Sequence, residues 1–570
     1  MTKILVQQRP FLTRPENFQG VSPLVAKILA RRGVQSTQEL ELKLKHLLAP
    51  TMLGLAEAIA LMDQAIDQNK KIVIVGDYDA DGATSTTLML LALREMGADV
   101  EYLVPDRFKY GYGLTPAIAD LAFAKFTPDL LITVDNGISS HEGVQQAQDH
   151  GMQVIITDHH LTTKPTPQAE AVVNPNQLGC TFPSKALAGV GVAFYVLANL
   201  SSQRKQQGKS HVAMVQYLDL VALGTYADVA SLDYNNRIFI DAGLQRIRQQ
   251  QCRPGILALL DLAKRDAAHL SASDLGFVLG PRINAAGRME TMDIGIECLL
   301  APSLEEAYPL AEQLTQLNLE RRQVEGKIKQ DALAALEQIE LDQAHLPHAL
   351  VLFEPHWHQG VIGIVAGRLK EQFHRPSIVF ACDEDGVHIK GSARSIDGIH
   401  IRDAIELLAE QYPHLVTHFG GHAAAAGLTI KEQHFAEFKT RFEALIATYE
   451  AELFQATLWT DGELSTQELN LTTVDLLKNL SPWGQKFPSP VFEGTFKIVD
   501  FRWLKEVHLK LHLALADGKT GPIVEAIAFN AASKYEFNPM QDYVHLVYEL
   551  DRNEFNGQVS LQLKVIHLSQ

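Results

Sequence analysis

Ile72-Val73-Ile74-Val75-Gly76-Asp77-Tyr78-Asp79-Ala80-Asp81-Gly82 is a short apolar run followed at once by three carboxylates at alternate positions. Such a run, rich in β-branched residues and ended by a polar glycine-bounded loop, reads as a buried strand. A helix is expected next, near Ala83–Met96. Working outward, Leu130–Val134 and Val154–Thr157 are further buried-type strands, each ended by a polar cluster: Asp135-Asn136-Gly137 and Asp158-His159-His160. Apolar strands alternating with crossover helices predict a parallel, doubly wound α/β sheet. In such a sheet the loops after the strands meet on one rim, beyond the carboxyl ends.

Three alternate carboxylates suit hard cations, which take oxygen ligands. An EF-hand loop also begins with this pattern, but its last position would require a Glu, and here Leu88 stands there. A strand, rather than a helix, also precedes the loop. Asp228, at the end of the apolar segment Gly224–Asp228, is a fourth acid cluster. Taken singly, Asp135 or Asp228 could be a turn or capping residue. Together the clusters bring at least five carboxylates and two imidazoles to one crevice. Like charges this close raise each other's pKa steeply. Two divalent cations about 3.5–4 Å apart would relieve the repulsion and form a clamp for phosphoryl transfer, with one carboxylate bridging and a water between the ions.

Beyond this domain the strands fade between about 235 and 345, and Ser303–Ala344 reads as a long connecting helix interrupted only at Pro309. A second α/β unit follows, with strand Ala349–Phe353, helix Gly360–Gln372, strand Ser377–Ala381, helix Arg402–Gln411 and then a glycine-rich loop and helix. After about 455, Val491–Phe501, His508–Leu515, Ile523–Phe529, Tyr543–Leu550 and Val559–Leu568 read as five alternating strands, the number in an OB-fold barrel. The organisation is therefore 1–70, an N-terminal helical lead-in to the first domain; 71–235, a catalytic α/β domain; 236–345, a helical region with the connecting helix; 346–452, a second α/β domain; and 453–570, a barrel.

The 570 residues carry 50 Lys+Arg against 67 Asp+Glu, a net charge of −17. That balance excludes a protein that coats duplex DNA indiscriminately, whose footprint is basic. Four cysteines without zinc or CxxC spacing give neither a disulfide framework nor a zinc ribbon. The first ten residues lack an apolar core, and the longest apolar stretch is far shorter than a membrane span. These features predict a cytoplasmic protein with no membrane association.

Asp77–Gly82, Asp135-Asn136-Gly137, Asp158-His159-His160 and Ala227-Asp228 resemble the four motifs of the DHH phosphoesterase superfamily. Gly420-Gly421-His422 through Gly427 resembles the signature of its partner domain, DHHA1. With Gly391–Ser395 and Ser481-Pro482-Trp483-Gly484, the chain is similar to the single-strand-specific DNA exonucleases of that superfamily. One departure is Tyr226–Leu232, where the family has a more aliphatic run.

The resemblance implies that Asp77, Asp79 and Asp135 ligate one metal and that Asp81, Asp135, His159 and Asp228 ligate a second, with Asp135 bridging. The cofactors would be two divalent cations, Mn²⁺ or Mg²⁺. His160 would face the scissile phosphate, with Asp158 orienting it, and Arg282 would neutralise charge there. Arg282 and Arg288 stand in what reads as a Gly/Ala-rich turn, and Arg288 would bind the DNA strand. Asp106–Gly113 interleaves cations and aromatics, so Arg107, Tyr110 and Tyr112 are candidates for gripping unpaired bases; a surface loop packed on its own domain is the alternative. Ser392, Arg394, Gly421 and His422, in glycine-flanked loops, would cradle a 5′ phosphate, facing the metals across a cleft. His356 and His358 read as structural.

The implied activity is 5′-to-3′ hydrolysis of single-stranded DNA to 5′-mononucleotides in repair and recombination. The partners would be a DNA strand with a 5′ end, a single-strand-binding protein and a helicase, the chain acting as a monomer. Two other functions compete: a small-substrate phosphodiesterase acting on oligoribonucleotides or cyclic dinucleotides, and a non-catalytic scaffold. The first lacks a use for the barrel. The second lacks a reason for the complete acid and histidine set.

Overall fold

Lys71–Gly76 (β1) is buried along almost its whole length, as its unbroken apolar run requires. In this computed structural model, which describes residues 4–105, 107–162, 164–337, 346–383, 385–515, 523–555 and 557–570, β1 lies next to the middle of a five-stranded sheet. Its companions are Asp99–Leu103 (β2), Leu130–Val134 (β3), Gln153–Thr157 (β4) and Ala171–Val173 (β5). The order is β2-β1-β3-β4-β5 and every pairing is parallel. The doubly wound α/β expectation therefore holds. The strand order reverses between β1 and β3, and the loops leaving these two strands diverge there, opening the crevice in which such sheets bind ligands.

The helix after β1 starts at Ala80, three residues before the expected start. The reason is local: the Asp79 carboxylate accepts hydrogen bonds from the Asp81 and Gly82 amides at 2.9 and 3.0 Å, capping the helix inside the acidic motif. Among the described residues, 236–337 contains helices and no strand. Leu304–Glu337 is a single helix that runs through Pro309. Proline in its second turn removes one backbone bond close to an end, where the loss is tolerated. The expected extension to Ala344 lies outside the described residues. Residues 281–288 form part of the helix Gly280–Met289, which corrects the expected turn. Pro281 follows directly on the π-helical turn Leu275–Leu279, so the helical run does not break there, and Ala285 and Ala286 continue it.

By contact density the chain divides into two units, 1–7 with 316–458 and 8–315 with 459–570. The first contains Leu350–Phe353 (β6), Ser377–Cys382 (β7), His388–Arg394 (β8), His418–Gly421 (β9) and Ala425–Lys431 (β10), in the order β9-β10-β8-β7-β6. Only β6 and β7 run parallel. Ser392 and Arg394 stand in β8, opposite Val379 and Ser377 on one side and Gly427 and Ala425 on the other. They are therefore not in loops, and Gly420-Gly421 belongs to a hairpin strand. The strand was hidden because Ile389 is the one strong β-former in His388–Arg394, while the inward positions are taken by Ile389, Gly391 and Ala393.

Phe492–Leu504 (β11), His508–Leu515 (β12), Val524–Ala528 (β13), Tyr543–Phe555 (β14) and Gln558–Ser569 (β15) close into a barrel ordered β11-β12-β13-β15-β14. Its core includes Phe492, Leu511, Leu546 and Leu563, together with Ile28. Ile28 comes from the helix Pro23–Ala30, so part of the N-terminal stretch packs on the barrel instead of leading only into the first domain. Arg32 fastens this contact by a paired hydrogen bond to Asp461 at 2.8 and 3.0 Å, both side chains buried. Among the described residues no helix is long and apolar enough to cross a membrane.

Candidate active site

The loops after β1, β3 and β4 deliver their acids and imidazoles to the same rim. Among the described residues, three overlapping sets of donor atoms lie within 4.8 Å of one another: Asp77, Asp79 and Asp135; Asp81, His159 and Asp228; and Asp135, His159 and His160. Asp135 and His159 each belong to two sets. His159 Nε2 is 3.0 Å from Asp135 Oδ1, 3.9 Å from Asp81 Oδ2 and 4.0 Å from Asp228 Oδ2. The six residues predicted as metal ligands thus occupy one place.

Local structure explains how each is aimed. Asp135 adopts φ +60°, a left-handed conformation that a non-glycine residue rarely holds, and Val229, next to Asp228, has φ +61°. Such strain clusters where a side chain must point somewhere specific. Gly189 allows the helix Gly189–Gln206 to begin against Asp135: a Cβ there would lie 2.6 Å from the Asp135 Cβ. That helix start also serves Asp81, whose carboxylate accepts hydrogen bonds from the Gly189 and Val190 amides at 2.6 and 2.9 Å.

The electrostatics are those of an acid cluster short of positive charge. Burial and then the Asp81, Asp79, Asp77 and Asp228 carboxylates push Asp135 well above its ordinary range. Asp228 is raised in the same way, by burial and then Asp81 and Asp79. Burial and the neighbouring Asp79 raise Asp81 to about 7, against the pull of the two amides. Bound divalent cations would remove this penalty, and a set of carboxylate oxygens with one imidazole nitrogen fits Mg²⁺ or Mn²⁺.

Asp158 has a different role. Its Oδ1 accepts from the His159 and His160 amides at 2.7 and 3.1 Å and lies 2.7 Å from His160 Nδ1, while Oδ2 accepts from the Ile138 amide at 2.9 Å. Burial alone would raise this acid, but the bond to and charge on His160 hold it at about 2. Burial would likewise lower His160, and Asp158 overcomes it, raising the imidazole to about 9. Without bound metal, these contacts favour the protonated imidazole of His160 at neutral pH, and Asp158 fixes its orientation.

Tyr112 meets the other side of that ring. Its hydroxyl is 3.1 Å from His160 Nε2, and its ring lies edge-on to His160 and to Tyr78. Half of Tyr112 remains exposed. Tyr110 packs partly against the core of the sheet, and the Arg107 side chain lies outside the described part of the structure. Tyr112→Phe should lower kcat about fivefold, the effect of one net hydrogen bond of roughly 1 kcal/mol. Single-turnover hydrolysis checks this, and an unchanged rate would remove Tyr112 from the site.

Several residues that hold the site were not singled out in the sequence. Asn284 Oδ1 accepts from the Ala80 amide at 2.7 Å, and Gly287 lets its helix touch the acidic loop, since a Cβ there would sit 1.9 Å from the Tyr78 carbonyl oxygen. This helix carries Arg282, whose Nη1 donates to the Val278 carbonyl at 2.7 Å, and Arg288. Asn174 and Asn176 donate to the carbonyls of His160 and His159 at 3.0 and 2.6 Å. Asn174-Pro175-Asn176 follows β5 as the other polar clusters follow their strands, which was the available signal. Tyr226, the departure from the family pattern, donates from its hydroxyl to the Trp483 carbonyl at 2.9 Å, joining the end of the catalytic domain to the approach to the barrel.

In the other unit, Arg394 Nη1 donates to Ser392 Oγ at 3.1 Å and to the Ala393 carbonyl at 2.8 Å, while Gly421 and His422 are exposed. His358 Nδ1 accepts from the Gly360 amide at 3.0 Å, capping a helix, and His356 Nε2 is 3.0 Å from Asp331. These contacts give both histidines structural work.

Comparison with known proteins agrees with the superfamily read from the motifs. The DHH family N-terminal domain matches residues 71–225, the DHHA1 domain 347–448 and the RecJ OB domain 460–567. The single-stranded-DNA-specific exonuclease RecJ of Dickeya dadantii is 49% identical over 96% of both chains. A crystal structure of RecJ from Thermus thermophilus in complex with Mn²⁺ is similar with TM-score 0.83 and 29% identity, covering 100% of this chain and 79% of that one. One in complex with Mg²⁺ gives 0.78 and 28%, covering 100% and 78%. With all three domains matched and nearly half the residues identical to a curated relative along its length, the chain belongs to the RecJ family of single-stranded-DNA-specific exonucleases.

Proposed function

We propose that the chain hydrolyses single-stranded DNA from the 5′ end to 5′-mononucleotides, in DNA repair and recombination. The observation that carries the chemistry is the convergence of seven donor residues in overlapping sets at the sheet's switch point. Asp77, Asp79 and Asp135 would hold one divalent cation, and Asp81, Asp135, His159 and Asp228 a second. When bound, Mn²⁺ or Mg²⁺ supplies activation of the attacking water and neutralisation of charge on the phosphate. The relatives crystallised with these ions support the choice.

The chain's own residues do the rest. Asp158 orients and charges His160, which donates its remaining proton toward the scissile phosphate. Tyr112 limits the swing of that imidazole. Arg282 is brought to the acidic loop by a helix anchored through Asn284 and Gly287, where a guanidinium offsets charge developing on phosphate oxygens. Ser392, Arg394, Gly421 and His422 hold the 5′ phosphate. The barrel extends the grip on the strand, which favours a polymer over a dinucleotide, and receives the single-strand-binding protein; a helicase would supply the strand to a monomeric enzyme.

A 5′-phosphorylated oligonucleotide should be hydrolysed at least about tenfold faster than a dinucleotide, because remote binding energy is used in turnover. A 5′ label should leave as a mononucleotide in the first turnover. Equal or better hydrolysis of the dinucleotide would overturn the polymer reading, and release of unlabelled nucleotides first would reverse the direction.

A further inference from the structure

Away from the acidic site, a cavity of about 270 Å³ lies between the N-terminal segment and the approach to the barrel. It is lined by Arg9, Arg31, Arg32 and Lys486, with Trp459 and Pro488 among its apolar walls, and by no carboxylate. Four cations around one cavity stand out in a chain of net charge −17. Arg32 is neutralised by Asp461, and its Nε also donates to the Pro488 carbonyl at 2.7 Å.

Arg9 and Arg31 also feel the Asp461 carboxylate, but among the described residues neither makes an ion pair with it. Arg31 is 7% exposed, with its guanidinium 4.3 Å from the centre of the Phe11 ring and one long bond, 3.4 Å, from Nη2 to Gln8. Among the described residues neither its Nε nor that of Arg9 has a hydrogen-bond partner, though both atoms are buried. A buried charged donor without an acceptor is destabilising, and with four cations on its wall and no carboxylate among its lining residues the cavity favours an anion. The backbone holds it ready: the Arg9 amide donates to the Thr460 carbonyl at 2.8 Å, beside Trp459. Burial, and next the charge of Arg32, lower the Arg9 guanidinium from its ordinary value, as expected for cations packed together.

We propose that this cavity is a nucleotide subsite, in which Arg9, Arg31 and Lys486 take a phosphate and the Trp459 indole stacks a base. Trp459 is 39% exposed and lines the cavity. The cavity is close to the lower end of small-ligand pockets, roughly 300–1,000 Å³, so it holds one nucleotide unit. Guanidinium forks match phosphate oxygens, and several cations exceed what one peptide carboxylate needs. The phosphate is either a link of the single strand or that of a released mononucleotide. The inference rests on the reading of the polymer as single-stranded DNA.

The test uses the full chain in chelator, so that binding is read without cleavage. Anisotropy of a labelled oligothymidylate should show affinity reduced about five- to twentyfold in Arg9→Gln/Lys486→Gln, with the salt slope smaller by about 0.7 for each phosphate left without its cation. Trp459→Ala should weaken binding at least about fivefold by removing the stacking face. With metal restored, a trinucleotide should be hydrolysed by both variants at the wild-type rate, showing that the fold and active site are intact. Loss of oligothymidylate binding alone identifies the strand as the source, and loss of thymidine monophosphate binding as well identifies the free nucleotide. Variants that bind both ligands like wild type, or that lose affinity only for an acidic peptide, would overturn the proposal. Failure of the proposed activity would appear separately, as wild-type protein that hydrolyses no oligonucleotide.

Discussion

Asp135→Ala should reduce turnover by at least about 10³-fold, beyond the roughly 10–100-fold typical of groups that merely support a ligand. Asp135 belongs to two of the three donor sets and lies 3.0 Å from His159. It is 1% exposed and held at φ +60° against Gly189. No neighbouring carboxylate can take its place, because the others leave different strands and helices. Asp135→Asn is the control for folding: it keeps the shape and removes one charge from the crowd that pushes the native acid upward. The metal-free Asn variant should melt above the metal-free wild type while remaining inactive. A rate above about a tenth of wild type in either variant would overturn the bridging role proposed for Asp135.

The metal-free enzyme should lose stability as pH rises from about 5 to 8, and divalent cations should restore it. Asp81 is raised to about 7, and Asp135 and Asp228 lie well above their ordinary values, burial being the largest cause for each. An acid with a raised folded pKa binds more protons folded than unfolded, so stability falls with pH through that interval. For Asp81 the interval runs from the ordinary 3.8 to about 7.

The Asp158–His160 pair adds its own windows. Asp158, held at about 2, contributes stability above its ordinary 3.8 that disappears as pH falls through 2. His160, raised to about 9, contributes below its ordinary 6.5 and loses that contribution as pH rises through 9. Both the acid cluster and His160 therefore weaken the metal-free fold between pH 5 and 8. A cation at 100 times its Kd adds about 2.7 kcal/mol, and each kcal/mol is worth roughly 2–4 °C in domains of 150–250 residues. Thermal melts in chelator and in Mn²⁺ at pH 5 and pH 8 measure this. The gain should be larger at pH 8, where protons no longer compete for the carboxylates. A chelated Tm that stays level or rises with pH would refute the acid-cluster account.

Strand and motif were legible together because short-range chemistry specifies both. Ile72–Val75 can satisfy its backbone and bury its side chains only as an interior strand, and acids placed directly after such strands must reach the carboxyl rim. The five barrel strands were legible through their alternation. His388–Arg394 was not, because its inward positions are Ile389, Gly391 and Ala393, and a single strong β-former does not mark a strand. The helix at 280–289 was concealed by Pro281 and Gly287, residues that usually mark turns; here the first follows directly on the π-helical turn Leu275–Leu279 and the second permits the helix to touch the Tyr78 carbonyl.

By itself, then, the sequence determined the α/β class, the barrel, the acid and histidine set and the superfamily, since each depends on neighbours within a few residues. Tertiary structure decided what depends on distant segments meeting. It set the strand order that places Asp77 and Asp135 at the switch point, and it put the Gly189 helix start against Asp81 and Asp135. It gave Tyr112 a place against His160, and it brought Arg9 and Arg31 to Trp459 across more than 400 residues of chain. Such meetings carry no local period or propensity; they follow from burying several apolar faces at once, and only the folded chain shows which faces those are.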